Sequence, residues 1–437
     1  MRKYNSTGEA LCYKKKNRDK FMDEESGPIL TANGLPLKVS LERSMRQNKL
    51  KAVGLVSVPF VFLVLMFVIP IIMLLVRSAD DRLVNDVFPR TFEAFKSWDQ
   101  VDLPDEEMFK AVVLDFQESK PSERGRASSR MNYAKSGWRS LVRKTGKKVK
   151  DVTEGPYKEA LIKIDKRWAN VETWKSLAIM ESDWTYEYYL NSIDLKQNSD
   201  LEIVQQPENR RVYNMFWWRT FLVSIQVTLF CLILAYPVAH LLATLPLKHS
   251  NLLMICVLMP FWTSLLVRIV AWMIMLQQEG VVNSTLVWAG MLSDENRLAM
   301  MYNYNGVLIV MTQILLPFMI LPLYSVMKTI PPSYMRAAQN LGATPSLAFI
   351  RVYMPQTLPG IGAGCILVFI VAIGYFITPE LVGGKDGQLI GNQINYHMRN
   401  SLNWGLACAM GSILLIGILA LYWVYDKIVG IDNMKMG

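Results

Sequence analysis

The chain has 437 residues, 51% hydrophobic and 19% charged, with a formal net charge of +10. Soluble globular chains carry about 25% charged residues. Here the deficit is local, because charge vanishes from long blocks and crowds between them, as in a membrane protein with soluble appendages. Much of the Lys and Arg excess flanks apolar runs, so it reads as membrane topology and no nucleic-acid partner is expected. Four of the five cysteines lie in apolar segments, with no CxxC or Cys/His spacing, and this pattern indicates neither a disulfide framework nor a metal site.

Residues 1–51 form a polar, basic tail that includes Lys14, Lys15, Lys16, Arg18, Lys20, Arg43, Arg46, Lys49 and Lys51. Positive charge stays on the cytoplasmic side, which predicts a cytoplasmic N-terminus. The first apolar run comes too late for a signal peptide. A crossing needs about 20 predominantly apolar residues, and six segments qualify: 52–76, 220–245, 252–276, 304–327, 358–382 and 404–425. An even count puts the C-terminus in the cytoplasm too, with the segment 328–357, which carries Lys328, Arg336 and Arg351 and no acid.

Residues 77–219 separate the first two spans and fall on the outer side by this count. They contain Trp98, Trp138, Trp168, Trp174 and Trp184, too many for a disordered linker. From about residue 108 to 176 the pattern is mainly helical, so an extracytoplasmic insertion domain is expected. Its basic run Arg143-Lys-Thr-Gly-Lys-Lys-Val-Lys reads as a solvated helix face or a docking patch.

After the fourth span, Pro331 and Pro332 suit the opening turn of a new helix. Ala337 and Ala338 give that helix a low profile, and Gly342 is placed to end it in a left-handed conformation. A second short helix then leads to Tyr353 and Pro355. Together these predict a compact two-helix knob facing the cytoplasm, shaped to enter a groove on another protein.

This segment resembles the EAA loop of binding-protein-dependent ABC importer permeases. Ala337, Ala338, Gly342, Val352 and Pro355 stand at the family's spacing, while Arg336 occupies its acidic position. Further resemblance to spermidine/putrescine-type permeases is carried by three segments. They are Ala235-Tyr-Pro-Val-Ala239, Pro260-Phe-Trp-Thr-Ser-Leu-Leu-Val-Arg-Ile-Val-Ala-Trp272 and Phe376-Ile-Thr-Pro-Glu-Leu-Val-Gly-Gly384, the last followed by Ile390-Gly-Asn-Gln-Ile394. The resemblance covers the second half of the chain. It implies an all-α permease with six transmembrane helices in a bacterial inner membrane, interrupted by the helical insertion. It also implies a second permease (homologous or another copy), two ATPase subunits on the knobs and a periplasmic substrate-binding protein. ATP and Mg would be used by the ATPase, and no cofactor by this chain. No Gly-x-x-x-x-Gly-Lys-Ser/Thr occurs, so no ATPase site of that type is expected here.

Polyamine-type permeases suggest a small amine as substrate. Opine-like compounds, other small organic solutes and metal chelates are handled by related permeases. Glu279 and Glu380 are candidate carboxylates for an amine, and Trp262, Trp272, Tyr375 and Phe376 offer aromatic faces to a cation. Tyr375 stands where many polyamine-type permeases carry an acid. Arg268, placed at mid-span, is costly in lipid and is expected to meet a carboxylate or a helix C-terminus, or else to act as a gate. The rival class, an ion-gradient-driven carrier, favours internal repeats and mid-membrane acids, and neither is evident. Gly360-Ile-Gly-Ala-Gly364 mimics a dinucleotide loop but opens a span, where close helix packing explains it.

Overall fold

A computed structural model describes residues 37–198 and 202–429, so most of the basic tail, residues 1–36, lies outside the described residues. The chain divides into two units, Met1–Met73 and Leu74–Gly437. Helix Leu37–Leu63 of the first unit passes through a π turn, Val64–Val68, into Ile69–Arg77, whose residues from Leu74 on belong to the second. Pro70 has no N–H to donate to the turn before it, and the wider π turn lies there. The apolar part, Asn48–Arg77, is 30 residues long and reaches about 45 Å, ample for a crossing.

Four further helices of the second unit are long and apolar enough to span: span 2, Tyr213–Thr244; span 3, Leu265–Trp288; span 4, Tyr304–Thr329; and span 6, Trp404–Lys427. Span 5 is Leu358–Ile373, which follows the helical segment Pro345–Gln356 at a bend of 59°. The described protein is therefore helical, with five or six spans. Its strands among the described residues form a short antiparallel hairpin, Leu195–Gln197 with Ile203–Gln205.

Span 4 lies at the centre of this bundle, packed against spans 2 and 5, which also meet each other. Span 2 presents a stripe recurring every three or four residues, Val223, Val227, Cys231, Ala235, Ala239 and Leu242, all buried. Lipid offers no hydrophobic drive between helices, so contact depends on small residues and close packing. A Cβ at Gly364 would stand 2.5 Å from Met319 Sδ, which is why span 5 carries a glycine there.

Two predicted spans are broken. The segment 252–276 is a helix Leu247–Leu258, a 3₁₀ turn Met259–Trp262 and a new helix Leu265–Leu276, which span 3 continues after a turn as Val281–Trp288. Pro260 removes a donor and disfavours helix at the residue before it, a local effect that an apolar count does not register. The segment 358–382 stops being continuous helix at Ile373 and resumes as a short helix, Ile377–Val382.

The insertion folds around tryptophan. Trp168 and Trp174 are fully buried, with Phe88, Phe109 and Phe116 beside them. Each buried indole N–H finds an acceptor: Trp168 donates to Thr145 Oγ1 at 3.0 Å, and Trp174 to the Trp168 carbonyl at 2.9 Å. Trp138 donates to Ser176 Oγ at 3.3 Å. Large aromatic area with satisfied donors gives a small domain its stability. Trp184 is the exception, 58% exposed. The helix over the basic run, Trp138–Lys148, buries Leu141, Val142 and Thr145 and exposes its cations.

Three polar sites stand where the insertion meets the bundle. Arg130, on helix Pro121–Ala134, bonds both oxygens of Asp81 at 2.7 Å and Glu187 Oε2 at 2.6 Å. All three side chains are buried. The guanidinium lies 4.7 Å from the Tyr188 ring centroid, and Tyr188 packs in one cluster with Leu406, Ala409 and Met410 of span 6. Burial pushes the Asp81 carboxyl above its ordinary value despite Arg130. Burial works against the Arg130 charge, but Glu187 and Asp81 hold that guanidinium well above its own ordinary value. A second site is Asp194, whose carboxylate accepts from the backbone N–H groups of Val212, Tyr213 and Asn214 at 2.8–3.0 Å. It satisfies the orphan donors of span 2 and sits favourably at the helix N-terminus.

A third site is His397, on helix Ile390–Arg399. Its ring bonds Tyr213 Oη at 2.9 Å and Ser401 Oγ at 2.8 Å, and Tyr133 of the insertion donates to the Ser401 carbonyl. Burial pushes its pKa down to about 4.

Two outcomes follow from these sites. Arg130→Ala strands two buried carboxylates and lowers stability by about 3–5 kcal/mol, read as a lower melting temperature of the purified chain. His397 is held neutral when folded, so the unfolded chain binds more protons below its ordinary pKa of 6.5. Stability therefore falls as pH drops from 6.5 towards 4, by up to about 3 kcal/mol. Removing the ring with His397→Asn should flatten that part of the stability–pH curve.

Candidate functional site

Two regions carry the residues that the sequence singles out. The first is the knob between spans 4 and 5. Pro331 caps and Pro332 opens a helix, Pro332–Asn340, that buries no residue. Its end is a Schellman motif: Ala343 N–H bonds the Ala338 carbonyl at 3.1 Å and Gly342 N–H bonds the Gln339 carbonyl at 2.9 Å. Gly342 has φ +92°, as the motif requires. Thr344 caps a second helix, Pro345–Ala348, which widens into a π turn, Phe349–Tyr353. Arg336, Ala337 and Pro355 are exposed, Ala338 and Val352 half-buried, and Leu341 is 89% exposed at the tip. Arg336 has no ion pair or side-chain hydrogen bond among the described residues. The structure thus brings five of these six residues onto or beside one protruding element, with Pro355 at its junction with span 5.

The second region is the break in span 5. The helix ends at Gly374, and Tyr375 and Phe376 form the linker to Ile377–Val382. Glu380 is exposed, and one oxygen accepts from Asn392 Nδ2 at 2.6 Å. Asn392 is buried and also donates to the Phe376 carbonyl at 3.0 Å, while its oxygen accepts from Leu389 N–H at 3.0 Å. Phe376, Glu380 and Asn392 are thereby held as one polar cluster, with Tyr375 next to it in the chain.

Arg268 lies near the start of its span and not at the middle. The break at Pro260 places it in the first turn of Leu265–Leu276. Its Nε is buried without a hydrogen-bond partner, and among the described residues no carboxylate pairs with it. Trp272 joins span 4 instead, donating to Gln313 Oε1 at 2.9 Å. Trp262 is 73% exposed, and Glu279 lies in an exposed turn; neither makes a described bond to the cluster.

Sequence reasoning passed over four polar residues here. Besides Asn392, Gln313 meets Trp272, and Tyr304 of span 4 donates its hydroxyl to Gln226 Oε1 of span 2. For Gln226 and Gln313 the available signal was an amide inside an otherwise apolar run, which is costly in lipid unless it is partnered.

A polytopic helical bundle with a proline-opened knob and a polar break in its fifth span has the build of a membrane permease. Residues 209–429 match the model of the family described as "Binding-protein-dependent transport system inner membrane component", and the chain belongs to that family, as a multi-pass permease of an ABC importer. It is 39% identical over 204 residues to the spermidine/putrescine transport system permease protein PotB of Salmonella typhimurium, covering 46% of this chain and 70% of that protein. It is 35% identical over 225 residues to PotB of Haemophilus influenzae, covering 52% and 78%. Similarity to the inner membrane ABC transporter permease protein YdcU of Escherichia coli is 33% over 223 residues, covering 48% and 70%. Nearly all of the insertion precedes the matched residues.

The knob's turn yields a direct test. No atom lies within 4 Å of a Cβ built on Gly342, so Gly342→Val meets no clash and suffers only the left-handed backbone, about 1–2 kcal/mol. Proteolysis across residues 340–345 should quicken, while the detergent-extracted chain keeps its elution volume.

Proposed function

We propose that this chain is the permease subunit of a polyamine importer that moves a small organic cation inward by alternating access. The observation that carries the reading is the similarity to PotB together with the cluster at the break of span 5. Glu380 supplies the negative charge, Asn392 fixes one of its oxygens, and Tyr375 and Phe376 lie beside it with faces suited to an ammonium group. A carboxylate held by a buried amide is oriented before a cation arrives, which lowers the cost of binding.

In this reading a separate ATPase supplies the energy, and this chain binds neither ATP, metal nor another cofactor. Two ATPase subunits dock on the knobs of this permease and of a second one, homologous or another copy. A periplasmic binding protein delivers substrate from outside. Both termini are cytoplasmic, residues 77–219 are periplasmic, and residues 328–357 are the coupling loop. Arg336 is exposed at the position that meets the ATPase cleft, so that cleft presents an acid or a carbonyl to it. Opine-like compounds, other small organic solutes and metal chelates are the alternative cargoes, and an ion-gradient carrier is the alternative class.

The chain, co-expressed with its candidate ATPase, second permease and binding protein, is reconstituted in liposomes and given labelled spermidine. ATP-dependent uptake is expected. Glu380→Gln should raise the half-saturating spermidine concentration about tenfold, the equivalent of about 1.4 kcal/mol of lost binding. Uptake driven by an ion gradient without the ATPase would overturn the importer mechanism. An unchanged half-saturating concentration would remove Glu380 from the site.

A further inference from the structure

The coupling loop meets span 2 through rings. Tyr236 and His240 lie one helical turn apart on span 2, with Pro237 between them. The His240 ring stands edge-on to Phe349 at 5.2 Å and to Tyr353 at 5.1 Å, both at 78°. Phe349 and Tyr353 stack on each other at 5.4 Å and 21°, forming a two-ring plate. Tyr236 completes the contact, edge-on to Phe349 at 6.2 Å, with its hydroxyl 3.3 Å from Thr357 Oγ1.

Two local features make this contact unusual. Phe349–Tyr353 is a π turn, and π turns are rare and often mark functional positions. Here its ends carry the two stacked rings. Pro237 leaves span 2 without one ladder hydrogen bond at the level of the contact, the ordinary cause of a bending point in a long helix. The His240 Nδ1 is buried and has no hydrogen-bond partner, so at that nitrogen the imidazole is held by its ring contacts and not by a polar bond. The knob's first helix, by contrast, has no fully buried residue.

We infer that His240 is a positioning residue for transport: with Phe349 and Tyr353 it forms an aromatic clasp that passes movement of the coupling loop to span 2, which bends at Pro237. The inference rests on the reading of residues 328–357 as the loop that meets the ATPase. It adds a named second link, because span 5 is joined to that loop by the chain itself, whereas span 2 meets it through these rings and a bond from Lys328 Nζ to the Ala243 carbonyl at 3.3 Å. Edge-to-face contacts prefer a defined geometry, so the plate carries span 2 with it and does not slide past.

The test uses the assembled complex in liposomes with labelled spermidine, reading both uptake and ATP hydrolysed per spermidine moved. His240→Ala is expected to retain the ATPase on purification and to hydrolyse ATP at near wild-type basal rate. Its uptake should fall about tenfold, so that the ATP used per spermidine rises by the same factor. His240→Phe, which keeps an edge to offer and cannot carry a proton, should restore most of the coupling. Phe349→Leu and Tyr353→Leu keep side-chain volume without the ring, and each should show the same uncoupling; they serve if His240→Ala does not insert. Uptake and ATP ratio within twofold of wild type in His240→Ala, or in both leucine variants, would overturn the clasp. Failure of the wild-type chain to retain an ATPase would instead overturn the coupling-loop reading, and the two failures are told apart by the purified subunits.

Discussion

Span 5 approaches span 4 through Gly360 and Gly364, and the rest of the bundle depends on that close contact. Between helices in lipid there is no water to expel, so association must come from packing and from partnered polar groups. A glycine opposite Met319 lets two backbones come near enough for dispersion to accumulate. Span 4 can then be covered on its other side by the small and branched stripe of span 2. With those three helices fixed, the knob must emerge where span 4 ends, and the polar break of span 5 must lie at that helix's far end.

The insertion obeys a different physics within the same unit. Its tryptophan core is a soluble core, built by removing apolar surface from water, and every buried indole described donates a hydrogen bond. Where the two regimes meet, neither packing mode suffices, and the seam is polar: Arg130 between two acids, Asp194 on the start of span 2, and His397 between Tyr213 and Ser401. Buried groups of this kind contribute less to net stability than to fixing one arrangement over others. Such fixing suits a domain that must keep its orientation on a moving bundle.

Much of this was legible in the sequence because its signals are local. Span length is a matter of apolar run, and the knob is written in Pro331, Pro332 and Gly342, each of which restricts or frees its own backbone. The breaks were less legible. A count of apolar residues treats Pro260 as a member of the run, although it ends one helix and displaces Arg268 to the start of the next. Glu380 was visible as an acid near a span end, but Asn392, which orients it, stands 12 residues away, and Gln226 and Tyr304 are 78 apart. The Arg130 cluster gathers partners 49 and 57 residues distant. No periodicity announces such meetings, because they are products of how helices dock and not of what any helix is.

The bend at the entry to span 5 has a geometric consequence of its own. The helical segment Pro345–Gln356 and the span meet at 59°, so a displacement along the first keeps about half its length along the second, and its larger component points sideways. A straight span transmits a push as a push. A bent one works as a bell-crank, changing the direction of motion at a fixed corner, and Thr357, buried at that corner and within 3.3 Å of Tyr236, is where its pivot bears on span 2.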